Sequence, residues 1–237
     1  RSGLDRSGRF LLAFGPGLMF AATAVGVSHL VQSTRAGAMF GFALIWAIIA
    51  ANLFKYAAFE AGPRYAAATG ESLIDGYRRL GRWAVVLFAV MTIGTMFTVQ
   101  AVVTLVAGAI VAGFVGLGGE WVAHISLMLT AVCAALLAIG RFPLLDRLVK
   151  VLIGLLTLTT LVALIAAVAR GNLPVGPSML DTHGWTLASM TFLIGLMGWM
   201  PSAIDISVWH SVWTLERQRQ TGHRPTPAEI SLDFNIG

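Results

Sequence analysis

The feature that most constrains this chain is a series of apolar stretches, each long enough to cross a bilayer. A helix needs roughly 20 predominantly apolar residues to pass the hydrocarbon core. Such stretches lie near 9–40, 42–61, 83–114, 121–140, 146–169 and 184–214. Charged residues make up 11% of the chain, far below the roughly 25% of a soluble domain, and the mean hydropathy is +0.80. These observations predict an all-α polytopic membrane protein with six spans, the first and last of them long.

Charge placement supplies an orientation. Cytoplasmic loops concentrate Lys and Arg, and with the N-terminus inside, the basic groups Arg1–Arg9, Arg64–Arg82, Arg141–Lys150 and Arg217–Arg224 all fall on one side. Arg170 alone falls on the other, while Arg35 and Lys55 lie within spans. The pI near 10.1 therefore reads as topology, and nucleic-acid binding is not expected. The expected location is the plasma (inner) membrane, with the N-terminus cytoplasmic and the lipid bilayer as the surrounding partner. The lone Cys133, in LTAVCAALLA, is expected to be a buried small hydrophobe. The first apolar segment runs into RAGAMFGF and another span, so it does not read as a cleaved leader. The chain opens on Arg1, and an apolar segment starts at SLDFNIG after RQRQTGHRPTPAE, which suggests part of a longer polypeptide.

Two spans are interrupted. In the first, AVGVSHLVQSTRAGA at 24–38 places Ser28, His29, Gln32, Ser33, Thr34 and Arg35 where an apolar helix is expected. If the helix unwinds around Gly26 to Ser28, then His29, Gln32 and Ser33 share one polar face of a second half-helix. In the sixth, FLIGLMGWMPSAIDISVWHSVW carries Gly195, Gly198 and Pro201 at its centre. Interrupted spans in corresponding positions point to the solute site of an inverted-repeat transporter, where unwound backbone lines a midplane cavity. Residues 1–170 then form a first five-helix repeat. Residues 171–237 hold an extracellular loop, the broken sixth helix at 184–214, a cytoplasmic loop and the start of a seventh span.

Ionisable residues inside a membrane are costly and suggest function. Glu60, near the cytoplasmic end of span 2, reads as structural, and Lys55 as snorkelling or paired with a polar group. Asp205 differs: it follows the Gly198–Pro201 break, with Ser202 one turn before it and Trp209 one turn after. His210 reads as structural. The linkers 61–82 (a polar cytoplasmic loop), 140–150 (a short basic turn) and 169–184 carry no metal-binding Cys/His cluster, nucleotide loop or serine-hydrolase elbow. The chain is expected not to be an enzyme and to need no cofactor.

The stretches GPGLMFAATA, AGAMFG, WAIIAANLFKYAAFEAGPRYAAATGESL and GWMPS resemble the Nramp family of divalent metal transporters along essentially the whole chain. The resemblance implies the broken-helix fold of LeuT and covers about the first half of a typical member. In that family Asp-Pro-Gly-Asn at the first break and Met-Pro-His in the sixth span hold the metal. Here the first reads Gly26-Val27-Ser28-His29 and the second Met200-Pro201-Ser202. The family's third span also carries acidic residues linked to proton movement, whereas 91–108 offers Thr side chains and Gln100. Hard cations prefer oxygen ligands, and His with a thioether suits softer metals.

The leading expectation is a secondary transporter of a divalent metal ion, working by alternating access without the usual proton coupling. Its solute site would draw on Gly26, Ser28, His29, Gln32, Met197, Met200, Ser202 and Asp205. His29, Met200 and Asp205 would be the metal ligands, with Arg35 and Gln100 in gating or the pathway. Two alternatives stand beside it. One is transport of a small anion or zwitterion, drawn by half-helix N-termini and by His29 with Arg35. The other is a transporter-like sensor that moves no solute.

Overall fold

A computed structural model describes residues 12–26, 28–171, 180 and 184–237, without the side chains of Ser28, Leu30 and residues 140–146. Among these residues all regular structure is helical. In chain order the elements are α1 (Pro16–Ala24), a π-helical segment (Ser28–Gln32), α2 (Ser33–Phe40), α3 (Ile45–Thr69), α4 (Leu73–Leu80), α5 (Arg82–Val115) and α6 (Val122–Ala169). There follow α7 (Leu187–Trp199), α8 (Ile206–Thr221) and α9 (Pro227–Ile236). The chain divides into two units, one of residues 1–76 and 148–237, the other of residues 77–147.

Within the first unit both interrupted spans are broken helices. Pro16 opens α1, where its missing N–H would have had no helical partner. The helix ends at Ala24 and helical backbone resumes at Ser28. In the sixth span α7 stops at Trp199 and α8 begins at Ile206, so residues 200–205 are unwound around Pro201. Two apolar clusters flank that gap. Ala36, Phe40, Leu44, Ala51, Leu196 and Met200 form one, and Phe20, Phe59, Ile206 and Phe234 form the other, with Trp213 packed against it.

α3 runs to Thr69, beyond the expected end of span 2, and α4 follows at once, so the expected polar loop at 61–82 is largely helical. Packing against α8 explains the extension. Gly62 lies directly on the Ser207 backbone, where a Cβ would collide, and the Ser207 hydroxyl donates to the Ala58 carbonyl at 2.8 Å. Beyond it Pro63, Ala66 and Ala67 are buried. Arg224 then donates to the carbonyls of Ala67 and Ala68 at 3.1 and 2.6 Å, setting a cation on the negative end of α3.

The second unit is a helical hairpin of α5 and the first part of α6. The turn at Gly116 has a left-handed backbone (φ 80°) that a side chain would strain, and Leu117 N–H closes on the Ala112 carbonyl at 2.8 Å. Gly108 lets the helices meet at Ser126, whose hydroxyl donates to the Thr104 carbonyl at 3.0 Å.

Two expectations are corrected. The backbone of α6 is helical through 140–150, so the basic turn expected there is absent. Arg141, Leu144, Leu145, Arg147, Leu148 and Lys150 favour helix there and outweigh Gly140 and Pro143. α6 holds two crossing-length apolar runs, one ending at Ile139 and one beginning at Arg147. Cys133, expected to be buried, is exposed on α6. That helix shows apolar side chains on most of its surface, as lipid-facing helices do. Among the described residues Arg82–Val115, Gly119–Ile139 and Arg147–Ala169 are long and apolar enough to cross a membrane. The first and sixth spans fall short because they are interrupted, and α3 carries Lys55, Glu60 and Arg64.

Candidate solute site at the helix breaks

The strongest polar constellation lies at the sixth-span break and is organised by Lys55 of α3. Its Nζ donates to the backbone carbonyls of Met197 (2.8 Å), Gly198 (2.7 Å), Met200 (3.0 Å) and Ser202 (3.2 Å). The last carbonyls of any helix lack intrahelical partners and sit at the negative end of its dipole. Unwinding after Trp199 adds further carbonyls to the same spot. An ammonium within a span costs about 2.5–3.5 kcal/mol on insertion scales when left to lipid, and four carbonyls supply what its water would have given. Lys55 thus has the polar partner that the sequence reading allowed for, in the form of backbone.

The first break closes through its own chain. Gly26 N–H donates to the Ala24 carbonyl at 3.0 Å and His29 N–H to the Gly26 carbonyl at 3.1 Å. The half-buried His29 ring also reaches back to the Ala24 backbone. Gln32 faces α7, its Nε2 lying 3.9 Å from where a Cβ on Gly195 would stand, an ordinary van der Waals distance. Arg35, exposed on α2, places its guanidinium 5.9 Å above the Phe192 ring of α7. The two interrupted spans therefore meet through α2, the π segment and α7.

The remaining candidates are placed less favourably for joint work. The Met200 side chain is 1% exposed and belongs to the apolar cluster with Phe40 and Leu196. Met197 packs against the same cluster, and its carbonyl is engaged by Lys55. Asp205 stands at the start of α8 without a side-chain capping bond and with its carbonyl accepting from Val208 N–H at 2.9 Å. The side chain of Ser28 lies outside the described residues. Gln100, in the second unit, turns its amide to Thr104 on its own helix at 3.1 Å. Among the described residues no group of three or more His, Cys, Asp or Glu side chains converges as a metal cluster.

Two further residues matter: Asp233, which sequence reasoning passed over, and His210, which it read as structural. Asp233 of α9 is 1% exposed, and its carboxylate accepts from Gly15 N–H at 3.0 Å and Gly17 N–H at 2.7 Å, anchoring the start of α1. His210 is fully buried between the rings of Phe20 and Phe234, with centroids 5.4 and 5.9 Å away, and among the described residues neither ring nitrogen has a hydrogen-bond partner. A carboxylate six residues past Pro227 and two glycines beside Pro16 are signals only once the helices are known to meet.

The comparisons with known proteins agree with this architecture. A family profile described as "Natural resistance-associated macrophage protein-like" matches residues 17–231. A Pasteurella multocida (strain Pm70) protein described as uncharacterized is 37% identical over 227 residues, which is 95% of this chain and 52% of that protein. The chain thus spans about half the length of this relative. No solved structure matches it. Broken first and sixth spans that meet around unwound backbone, apolar crossing-length helices and a profile match over most of the length lead to one conclusion: the chain belongs to the Nramp family of integral membrane metal-ion transporters.

Proposed function

We propose that this chain forms the first half of a secondary transporter that moves a divalent metal ion by alternating access around its two breaks, without the family's usual proton coupling. The observation that carries the reading is the meeting of the two interrupted spans, with Gln32 and Arg35 of the first lying against α7 of the sixth. Interrupted spans in corresponding positions are where an inverted-repeat transporter holds its solute. His29, Asp205 and the Met200 thioether are the proposed ligands, brought together when the two half-helices shift. The proposed setting is an inner membrane with the N-terminus cytoplasmic and a LeuT-like inverted repeat completed by the rest of the polypeptide.

Proteoliposomes holding the full-length protein test this directly. Saturable Mn2+ uptake is expected, reduced by His29→Ala and by Asp205→Asn. Absence of uptake by correctly inserted wild-type protein would sink the reading.

A second reading has its own support. Lys55 and Arg35 both bring positive charge to the breaks, which favours a small anion or a zwitterion. Competition of the bound solute by carboxylates or phosphate, with Mn2+ without effect, would decide for it.

A further inference from the structure

Lys55 stands where a free cation would stand. An ammonium has three hydrogens, yet four carbonyl oxygens lie 2.7 to 3.2 Å from its nitrogen. Two of the four, Met197 and Gly198, end α7 and the other two, Met200 and Ser202, lie on the unwound residues after it, so the shell extends beyond a helix cap. It is also held in place from α3. Ala51 and Phe59 lie four residues before and after Lys55, on the same helix face. Ala51 is buried in the cluster with Leu196 and Met200, and Phe59 in the cluster with Ile206. The two clusters lie on α7 and α8 to either side of the unwound residues, so α3 is clamped across the gap with its ammonium opposite it.

We infer that the Lys55 ammonium is a tethered cation, resident in the sixth-span break, and that it determines specificity by keeping free cations off these four carbonyls. The consequence for transport rests on reading the breaks as the solute cavity. A transported metal ion then takes its donors at the first break and from side chains. The carbonyls of Met197 and Gly198 belong to the protein's own charge.

The test uses full-length protein in detergent. Lys55→Ala empties the shell while leaving the carbonyls in place. Its thermal midpoint is expected below that of wild type and to be raised again by Na+, K+ or propylammonium, but not by tetramethylammonium at equal ionic strength. Wild type is expected to respond to none of them. A folded Lys55→Ala that none of these small cations stabilises overturns the inference. Should the variant not fold, wild type still decides. Lys55 is expected to undergo reductive methylation at least about tenfold more slowly in native than in unfolded protein, because release from its acceptors must come first. Equal rates overturn the inference. Mn2+ uptake measured on the same preparations separates the two ideas: cation rescue without wild-type uptake upholds Lys55 and removes the metal reading, whereas uptake without rescue does the reverse.

Discussion

The half-helices α1 and α7 are held from opposite ends by opposite charges. Asp233 accepts from the N–H groups at the start of α1, and Lys55 donates to the carbonyls at the end of α7. Each charge suits the pole of the dipole it touches. Their positions relative to the breaks differ, however. The Asp233 anchor is at the far end of α1 from its break, so the end facing the break is closed by local backbone and His29. The Lys55 anchor is at the break itself. The sixth-span break is therefore already supplied with a cation by a neighbouring helix, and the first break is the one whose polar groups are organised by its own chain.

Substitution at Met200 should have the largest effect and sharpens this contrast most. Because its side chain is 1% exposed, Met200→Ala should cost about 2–5 kcal/mol as a core truncation, read as a fall in thermal midpoint. Met200→Leu keeps the volume and should cost less than about 1.5 kcal/mol. If Met200→Leu is stable but has lost Mn2+ binding, the thioether is a ligand as well as core.

Next in size is the anchor of α1. Asp233→Leu leaves the N–H groups of Gly15 and Gly17 without their acceptor, at a cost on the order of 1–3 kcal/mol. Faster hydrogen exchange at these two amides should accompany it. Gly17→Ala attacks the same contact sterically, since its Cβ would strike the Asp233 backbone. If the first break keeps its solute response in either variant, its organisation is local, as the contrast requires.

A smaller effect is expected at the start of α9, which carries Asp233. Thr226 and Glu229 form a reciprocal cap there, and Thr226→Ala should cost about 1 kcal/mol. Burial by itself would raise the Glu229 carboxyl pKa. Acceptance from the Thr226 N–H and from His223, 3.1 Å away, outweighs burial and holds it below its ordinary 4.5. A carboxyl depressed by folding stabilises above its unfolded value and loses that contribution as pH falls through its folded value. The stability gap between wild type and Glu229→Gln should therefore be full above about pH 4.5 and close as the pH drops further, followed by thermal melts across that range.

Arg35→Gln should change stability least. It removes a cation–π contact between α2 and Phe192, worth about 0.5–1 kcal/mol at an exposed site. Its interest lies in access: if Arg35 guards the outer entrance, cation uptake should rise while the thermal midpoint hardly moves.

Much of the fold was legible because the signals were local. The third span expected near 83–114 is α5, Arg82–Val115, since a long apolar run with glycine at its end leaves a membrane chain few options. The two breaks likewise followed from Gly26 and from Gly198 with Pro201. The site was less legible. Lys55 meets carbonyls 142 to 147 residues away, and Asp233 meets amides 216 and 218 residues away. No spacing rule reaches across such distances. The continuation of α3 past Ala61 was hidden for a related reason: a polar, Gly/Pro-bearing stretch stays helical there because α8 covers it.

By itself the sequence determined that this is a helical membrane protein interrupted in its first and sixth spans, because lipid admits no loose backbone polar groups and because Gly and Pro weaken a helix wherever they fall. Only the tertiary structure decided which charge answers which helix end. An orphan carbonyl or amide is satisfied by whatever packing brings within about 3 Å, and it was the clamping of α3 across the sixth-span break, and of α9 against the start of α1, that brought Lys55 and Asp233 there.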